Sequence, residues 1–405
     1  MKILFLAPFA ASPAGFGAQR RVEGLMAALG RRHEITAVSI VPEGADRRAA
    51  ERAMGEYVSD VVLVERPLWD GRGKRLLQLR SLLSGRSFLR GLYDLPAVRE
   101  VVDRMLSARA YDVVNVEFPF LATGSLAKAP AGAPLPRLVL DEHNIEFDLA
   151  RQQARTESGV ARRVYNAVDW RKIRREETRV WRGFDGVAFC SAADESRARA
   201  IVPSLRSAVV PNAVDVEYFK PRPGDPTPDG RTIVFFGALD YFPNQDGVLY
   251  FLRDVWPSIE QSVPQARLKI VGQNPTAKIL AEGHARIEIA GKVDDVRPHL
   301  ASAALSIAPL RIGGGTRFKI LEAMAMGKPV ISTSLGAEGI EAEHGRHLLL
   351  ADDATSFATA VARVLRDPAL GRLLGSEGRK LVEERYSWDW SARSLEALYG
   401  RVLAR

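Results

Sequence analysis

Short apolar runs bounded by turn residues recur along this chain with helical stretches between them, and the series starts twice. The first set comprises Ile3–Ala7, Ile35–Val41, Val61–Val64, Val113–Val116, Leu138–Leu140 and Gly186–Cys190. Helical patterns lie over Arg20–Leu29, Ala97–Ser107 and Arg162–Trp181. After a Pro-rich stretch at 220–230 come Ile233–Phe236, Leu268–Val271, Ile287–Ala290, Leu305–Ala308 and Val330–Ser332. Such alternation favours parallel sheets with helices on both faces. At 405 residues the chain also exceeds one ordinary core. The fold class expected is α/β: two tandem Rossmann-like, doubly wound domains facing each other across a cleft. Their bounds are 1–206 and 207–385, with a C-terminal helix over 386–405 packing back on the first domain. That helix has an N-cap candidate in Ser387, and Trp388, Trp390, Leu395 and Leu398 are too many apolar groups for a free tail.

Hydrophobic content of 46% and charged content of 26% suit a globular domain protein. No stretch reaches about 18 consecutive apolar residues, the minimum for a spanning helix. Met1–Pro8 reads as a first buried strand, because its apolar run is short and Pro8 interrupts it. The single cysteine, Cys190, excludes an internal disulfide and suggests a packing role in a reducing cytoplasm. Of the net charge of +8, residues 1–220 hold 34 basic and 27 acidic groups, +7, and the remainder 23 and 22, +1. Between Gly71 and Gly91 six basic residues and no acidic one are interleaved with Leu76, Leu77, Leu79, Leu82, Leu83, Phe88 and Leu89. Such a helix either rests on an anionic membrane surface or covers the core as a solvated helix. Nucleic acid is disfavoured, since no reader module or interleaved aromatics accompany the charge.

The segment from Arg311 to Thr333 is the most informative about chemistry. A buried run, Leu305–Leu310, leads to Gly313, Gly314 and Gly315, then to a helix that stops at Gly327 before Pro329. Glycines let the backbone approach a ligand closely, and free N–H groups and the helix dipole make the helix start an anion site. Arg317 and Lys319 add full charge there, and Glu322 sits one turn in, a mixture suited to a phosphate flanked by hydroxyls. A second glycine turn, Gly15-Phe16-Gly17, follows the first strand. It fails the dinucleotide fingerprint because Arg20 stands at the third glycine position, and it has no P-loop lysine.

With these turns come Asp141-Glu-His143-Asn-Ile-Glu146, Val209-Val-Pro-Asn212-Ala-Val-Asp215, Phe235-Phe-Gly237, Ile270-Val-Gly272, Gly291-Lys-Val-Asp-Asp295 and Leu321-Glu322-Ala-Met-Ala-Met-Gly327-Lys-Pro329. In order and spacing the chain resembles the retaining nucleotide-sugar glycosyltransferases of GT-B fold, family four, also called glycosyl transferases group 1. The resemblance implies transfer of a sugar from a nucleotide-diphosphate donor to a glycan or lipid-linked acceptor, with retention of anomeric configuration. It implies that Glu322 bonds the donor ribose, that amides of Gly315 to Phe318 hold the donor sugar or its phosphate, and that Gly15 to Gly17 close over the diphosphate. Catalytic roles fall on His143, near the reacting carbon, and on Arg317 and Lys319. Donor binding falls on Gly15, Phe16, Gly17, Gly237, Asn244, Gly272, Val293, Gly314, Gly315, Thr316, Arg317, Phe318, Lys319, Leu321 and Glu322. No cofactor beyond the nucleotide sugar is expected, and no metal, since no Asp-x-Asp pair follows a strand.

Two departures stand out. An earlier glutamate usual in the family falls on Gly314, and the arginine usual after Gly237 is Ala238, with no base in Tyr241–Gly247. Arg317 and Lys319 are then the nearest partners for the diphosphate, and Asp141, Glu142 and Glu146 remain spare carboxylates. The implied setting is cytoplasmic, at the inner face of a membrane if residues 71–91 rest on it. The alternatives are a nucleotide-sugar epimerase of the same fold and an inactive nucleotide-sugar-binding partner subunit.

Overall fold

β1 (Lys2–Ala7) is apolar and buried at five successive positions, the signature of a parallel strand covered on both faces. In this computed structural model, which describes all residues except 12–16, 123, 125, 157–158, 314–315 and 405 and the side chain of 156, β1 lies central in a seven-stranded sheet. Its companions are β2 (Glu34–Pro42), β3 (Asp60–Arg66), β4 (Val113–Glu117), β5 (Arg137–Glu142), β6 (Gly186–Phe189) and β7 (Ser207–Val209). Their order is β3-β2-β1-β4-β5-β6-β7, with every pairing parallel. Register sets Phe5 of β1 beside Ala37 of β2 and Asn115 of β4.

The second sheet holds β8 (Thr232–Phe236), β9 (Arg267–Val271), β10 (Ile287–Gly291), β11 (Leu305–Ala308), β12 (Val330–Ser332) and β13 (Leu349–Leu350). Its order is β10-β9-β8-β11-β12-β13, again all parallel. Alternation along β8 divides the core between the two faces. Ile233 and Phe235 join Phe251, Trp256 and Phe357 on one side, and Val234 and Phe236 join Leu321, Met324 and Tyr386 on the other. The α/β class with two doubly wound sheets is the one expected. β7 and β13, absent from the sequence reading, are edge strands of three and two residues, too short to show an apolar period.

Two compact units result, Met1–Pro211 with Ser391–Arg405, and Asn212–Trp390. In the last helix, Trp388–Leu403, Leu395, Leu398, Tyr399 and Val402 are fully buried. A Cβ on Gly186 of β6 would stand 3.1 Å from both Leu398 and Val402, so the bare backbone there admits this helix. Strand order reverses between β1 and β4 in one sheet and between β8 and β11 in the other. Open α/β sheets bind ligands beyond the carboxyl ends of the strands at such points.

The basic segment forms two helices, Gly71–Leu83 and Phe88–Tyr93. The reading in which it covers the core holds for the second helix, where Leu89 and Tyr93 pack against the core of the first unit, and fails for the first. Ser81 is the one buried residue of the 71–83 helix, while Leu76, Leu79, Leu82 and Leu83 are exposed, Leu83 at 83%. The leucine stripe points outward because the opposite, polar side of the helix makes the protein contacts. No helix among the described residues is long and apolar enough to cross a membrane.

Candidate functional site

In the second unit, the chain leaving β11 passes Gly313 and enters the helix Phe318–Ala325. Arg317, extended at φ −91° and ψ 107°, occupies the N-cap. Gly313 has φ 119°, and a Cβ on it would fall 2.8 Å from Nη2 of Arg317. Glycine is required there twice over, for its backbone angle and for the guanidinium folded against it. Arg311 is engaged elsewhere: it forms two hydrogen bonds to Asp246 at 3.0 and 2.8 Å and lies 4.4 Å over the Tyr250 ring.

At the second residue of that helix, Lys319 reaches back to the end of β8. Its Nζ donates to Oδ1 of Asn244 at 2.7 Å and sits 4.1 Å over the Phe235 ring. Asn244 in turn donates Nδ2 to the Ala238 carbonyl at 2.7 Å, so one amide fixes both the loop and the lysine. Gly237, at φ 145°, completes the cradle. A Cβ on it would lie 2.8 Å from Lys319 Nζ and 3.0 Å from Asn244 Nδ2. A Cβ on Gly272 would strike the Gly237 carbonyl at 1.9 Å, so the ends of β8 and β9 meet backbone to backbone.

The loop after Gly237, which has no base of its own, thus receives an ammonium from a distant segment. Burial is the main force drawing the Lys319 ammonium down to about 7, the Arg317 charge adds to it, and Glu322 opposes it. An anion arriving beside Lys319 would restore its charge.

Other expected donor residues are placed more simply. Glu322 and Thr316 are buried, and Asn212 Nδ2 donates to the Thr316 carbonyl at 3.4 Å. The ring of Phe318 packs 6.3 Å from that of Trp388. Leu321 is fully buried and Val293 partly buried in the same core cluster, so packing uses their side chains and only their backbones remain for a ligand. Gly15, Phe16, Gly314 and Gly315 lie outside the described residues, and Gly17 opens the helix Gly17–Gly30. Sequence reasoning did not find Phe235 as the seat of the ammonium. The signal available was Gly237, a glycine at a strand end with nothing in the sequence to explain it.

The first unit gathers charge at the ends of β4 and β5. Arg21, 1% exposed, donates to both carboxylate oxygens of the fully buried Asp141 at 3.0 and 2.7 Å. His143 Nε2 lies 2.6 Å from Oε2 of the buried Glu117, whose Oε1 accepts from Asn115 at 2.8 Å. Tyr399 donates to Asn115 Oδ1 at 2.9 Å. Burial, then the charge of Asp141, pushes the Glu117 carboxyl well up, while burial draws His143 down to about 3. Arg21 and Asp141 form a buried ion pair, and Glu117 and His143 share a short hydrogen bond beside it.

Phe118 follows Glu117 at φ 70°, a strained angle for a bulky residue and a mark of functional sites. It is held by its amide on the Asp141 carbonyl, 3.1 Å, and by its ring 4.1 Å from that of His143. Glu117, Asp141 and His143 offer ligand atoms within 4.8 Å of one another, a spacing that suits a metal. Yet Asp141 is bidentate to Arg21, and Glu117 is bonded to Asn115 and His143, so a dication would have to displace a buried guanidinium.

Of the spare carboxylates, Asp141 and Glu142 hold structure, whereas Glu146 is held by its backbone amide. Glu142 accepts from Trp181 Nε1 at 2.8 Å, and Glu177 accepts the backbone amides of Glu146 and Phe147 at 2.8 and 2.9 Å. Burial raises Glu146 to about 7. Cys190 is buried and its thiol is pushed up by that burial, which suits packing and opposes nucleophilic chemistry.

Comparison with known proteins adds to this geometry. A family model described as glycosyl transferase 4-like domain matches residues 16–213, and one described as glycosyl transferases group 1 matches 230–367. A GDP-mannose-dependent alpha-(1-6)-phosphatidylinositol monomannoside mannosyltransferase of Mycobacterium tuberculosis is 28% identical over 242 residues, 54% of this chain and 62% of that protein. This chain thus spans less than two thirds of that relative's length. An MMP alpha-(1->4)-mannosyltransferase of Mycolicibacterium hassiacum is 29% identical over 319 residues, 75% of this chain and 74% of the relative.

Among solved structures, a sucrose-phosphate synthase of Thermosynechococcus elongatus aligns with a TM-score of 0.68 at 16% identity, covering 100% of both chains. Anabaena HepE in complex with UDP-glucose aligns at 0.65 and 17% identity, covering 99% of this chain and 100% of that one. With its two parallel sheets and the two family models matched in turn along its sequence, the chain belongs to the group 1, family 4-like glycosyltransferases of GT-B fold.

Proposed function

We propose that the protein transfers a sugar from a nucleotide-diphosphate donor to a glycan or lipid-linked acceptor, with retention of anomeric configuration and without a metal. The observation that carries this reading is the Lys319 ammonium, seated over Phe235 at Gly237, at the reversal point of the second sheet. As the bond from the anomeric carbon to the diphosphate breaks, negative charge grows on the leaving phosphate. Lys319, Arg317 and the amides at the helix start stabilise that charge, which makes a divalent cation dispensable. Glu322 holds the donor ribose, and His143, a neutral imidazole, serves the sugar near its reacting carbon. The leaving phosphate oxygen takes the acceptor proton on the same face, which gives retention. The GDP-mannose in the name of one relative and the UDP-glucose bound to HepE support a nucleotide-sugar donor, and the phosphatidylinositol monomannoside in that same relative's name supports a lipid-linked acceptor.

The test incubates the purified chain in EDTA with uridine, guanosine and adenosine diphosphate sugars, with and without lipid-linked glycan acceptors. Expected is acceptor-dependent release of nucleoside diphosphate and a product whose anomeric proton coupling matches the donor's. Sugar isomerisation without acceptor would mark an epimerase, and binding without turnover an inactive partner.

Gly237→Ala sharpens the site assignment. The new methyl meets both an unfavourable φ and the Lys319 ammonium. Strain of about 1–3 kcal/mol should weaken nucleoside diphosphate binding about tenfold or more in calorimetry, and unchanged affinity would place the ligand elsewhere.

A further inference from the structure

The 160–183 helix carries eight basic and three acidic residues, and all three acids are consumed within the protein. Asp169 accepts from Ser81 Oγ at 3.1 Å and Phe88 N at 3.0 Å. Glu176 accepts from Ser87 N at 3.0 Å and Ser87 Oγ at 2.5 Å, and Glu177 binds the amides of Glu146 and Phe147. Together with Arg175 Nη2 donating to the Gly85 carbonyl at 2.7 Å and Lys172 to that of Ser81, the bonds of Asp169 and Glu176 strap the 71–83 and 88–93 helices to the long helix.

What they leave outside is positive. A hollow of about 620 Å³ is lined by Arg86, Arg90, Arg175 and Arg179 with Glu176. A second, of about 410 Å³, shares Arg175 and adds Arg171, Arg174, Arg182 and Trp170. A merely solvated helix face would alternate signs along its length, and this one does not.

The same strapped helices also expose apolar groups. Leu76, Leu79, Leu82 and Leu83 form one exposed stripe, and Val160, Val164 and Val168 form another with a four-residue spacing. The ring of Trp170 lies 4.7 Å from the Arg171 guanidinium carbon, the pairing of an aromatic with a cation common at lipid headgroup level. Hollows of a few hundred Å³ suit small anionic groups. An anionic glycan would use the arginines and leave the leucines in water, whereas a bilayer uses both.

We propose that this face of the first unit docks on an anionic lipid bilayer, with headgroup phosphates in the arginine hollows and the exposed leucines at the acyl boundary. The proposal deepens the lipid-linked acceptor reading above, but its test uses neither donor nor acceptor. Full chain is sedimented with vesicles of phosphatidylcholine alone and of phosphatidylcholine with phosphatidylglycerol in equal parts, at low and high salt. Wild type should bind the anionic vesicles at low salt and the neutral ones at least tenfold more weakly. Arg90→Gln, Arg175→Gln and Arg179→Gln combined should weaken anionic binding about 100-fold at low salt. Leu79→Ser with Leu83→Ser should weaken binding at high salt most, because charge is screened there and the leucines remain.

Nucleoside diphosphate affinity of each variant, read by calorimetry, keeps a folding failure distinct from a docking failure. Equal binding to both vesicle types, or unchanged binding in the arginine variant, overturns the proposal. So does capture of soluble glycerophosphoglycerol or heparin without vesicle binding, which would make the hollows a site for free anions or glycans.

Discussion

Lys319→Gln is expected to lower sugar turnover by about 10²–10³-fold, the loss seen when one donor to a developing oxyanion is removed. The fold should survive. Glutamine can still reach Asn244, and the change removes a half-buried ammonium that burial and Arg317 already disfavour. The sign of the pH effect follows. A lysine lowered from 10.5 to about 7 penalises the folded protein below pH 7, and the penalty is relieved as pH rises from 7 toward 10.5. The variant should therefore melt no lower than wild type at neutral pH.

A diphosphate seated beside Lys319 raises its pKa again. Binding above pH 7 then takes up as much as one proton, and affinity falls as pH rises. Calorimetry in two buffers of different ionisation enthalpy reads that uptake directly, and Lys319→Gln should abolish it. Wild-type turnover in the variant, or proton uptake unchanged by it, would remove Lys319 from the site.

The largest expected effect on stability belongs to Arg21→Met. Arg21 and Asp141 are both nearly inaccessible and doubly bonded, beside the hydrogen-bonded pair of Glu117 and His143. Removing one member of a buried ion pair leaves the other charge uncompensated, which typically costs about 3–5 kcal/mol. In a unit of this size that lowers the melting temperature by roughly 10 °C. Adding Asp141→Leu should recover most of the loss, because the stranded charge disappears with it. A single variant that melts like wild type would mean that Asp141 finds another partner, and the packing described for the ends of β4 and β5 would be wrong.

The sheets were legible because their strands are buried on both faces, so Ile3–Ala7 or Ile233–Phe236 stands out as an apolar run. The edge strands Ser207–Val209 and Leu349–Leu350 were not, being too short to carry a period. The helix start at Arg317 and Lys319 was legible from its glycines and charges, yet the destination of Lys319 was not. Its partners Phe235 and Asn244 are about eighty residues away in sequence, and only the fold brings them together. His143 was marked by its motif, but its bond to Glu117 and the strained Phe118 under its ring depend on register between β4 and β5. The 71–91 segment was readable as basic and amphipathic. Which side it turns outward depends on Asp169 and Glu176 of the 160–183 helix, and no local pattern records that.

The most direct measurement is a crystal of the protein grown with a nucleoside diphosphate. Difference density is predicted to place a phosphate oxygen within hydrogen-bonding distance of Lys319 Nζ and the ribose hydroxyls against Glu322. Density for the nucleotide elsewhere, with Lys319 still bonded to Asn244 and no anion beside it, would contradict the assignment of this helix start as the donor site.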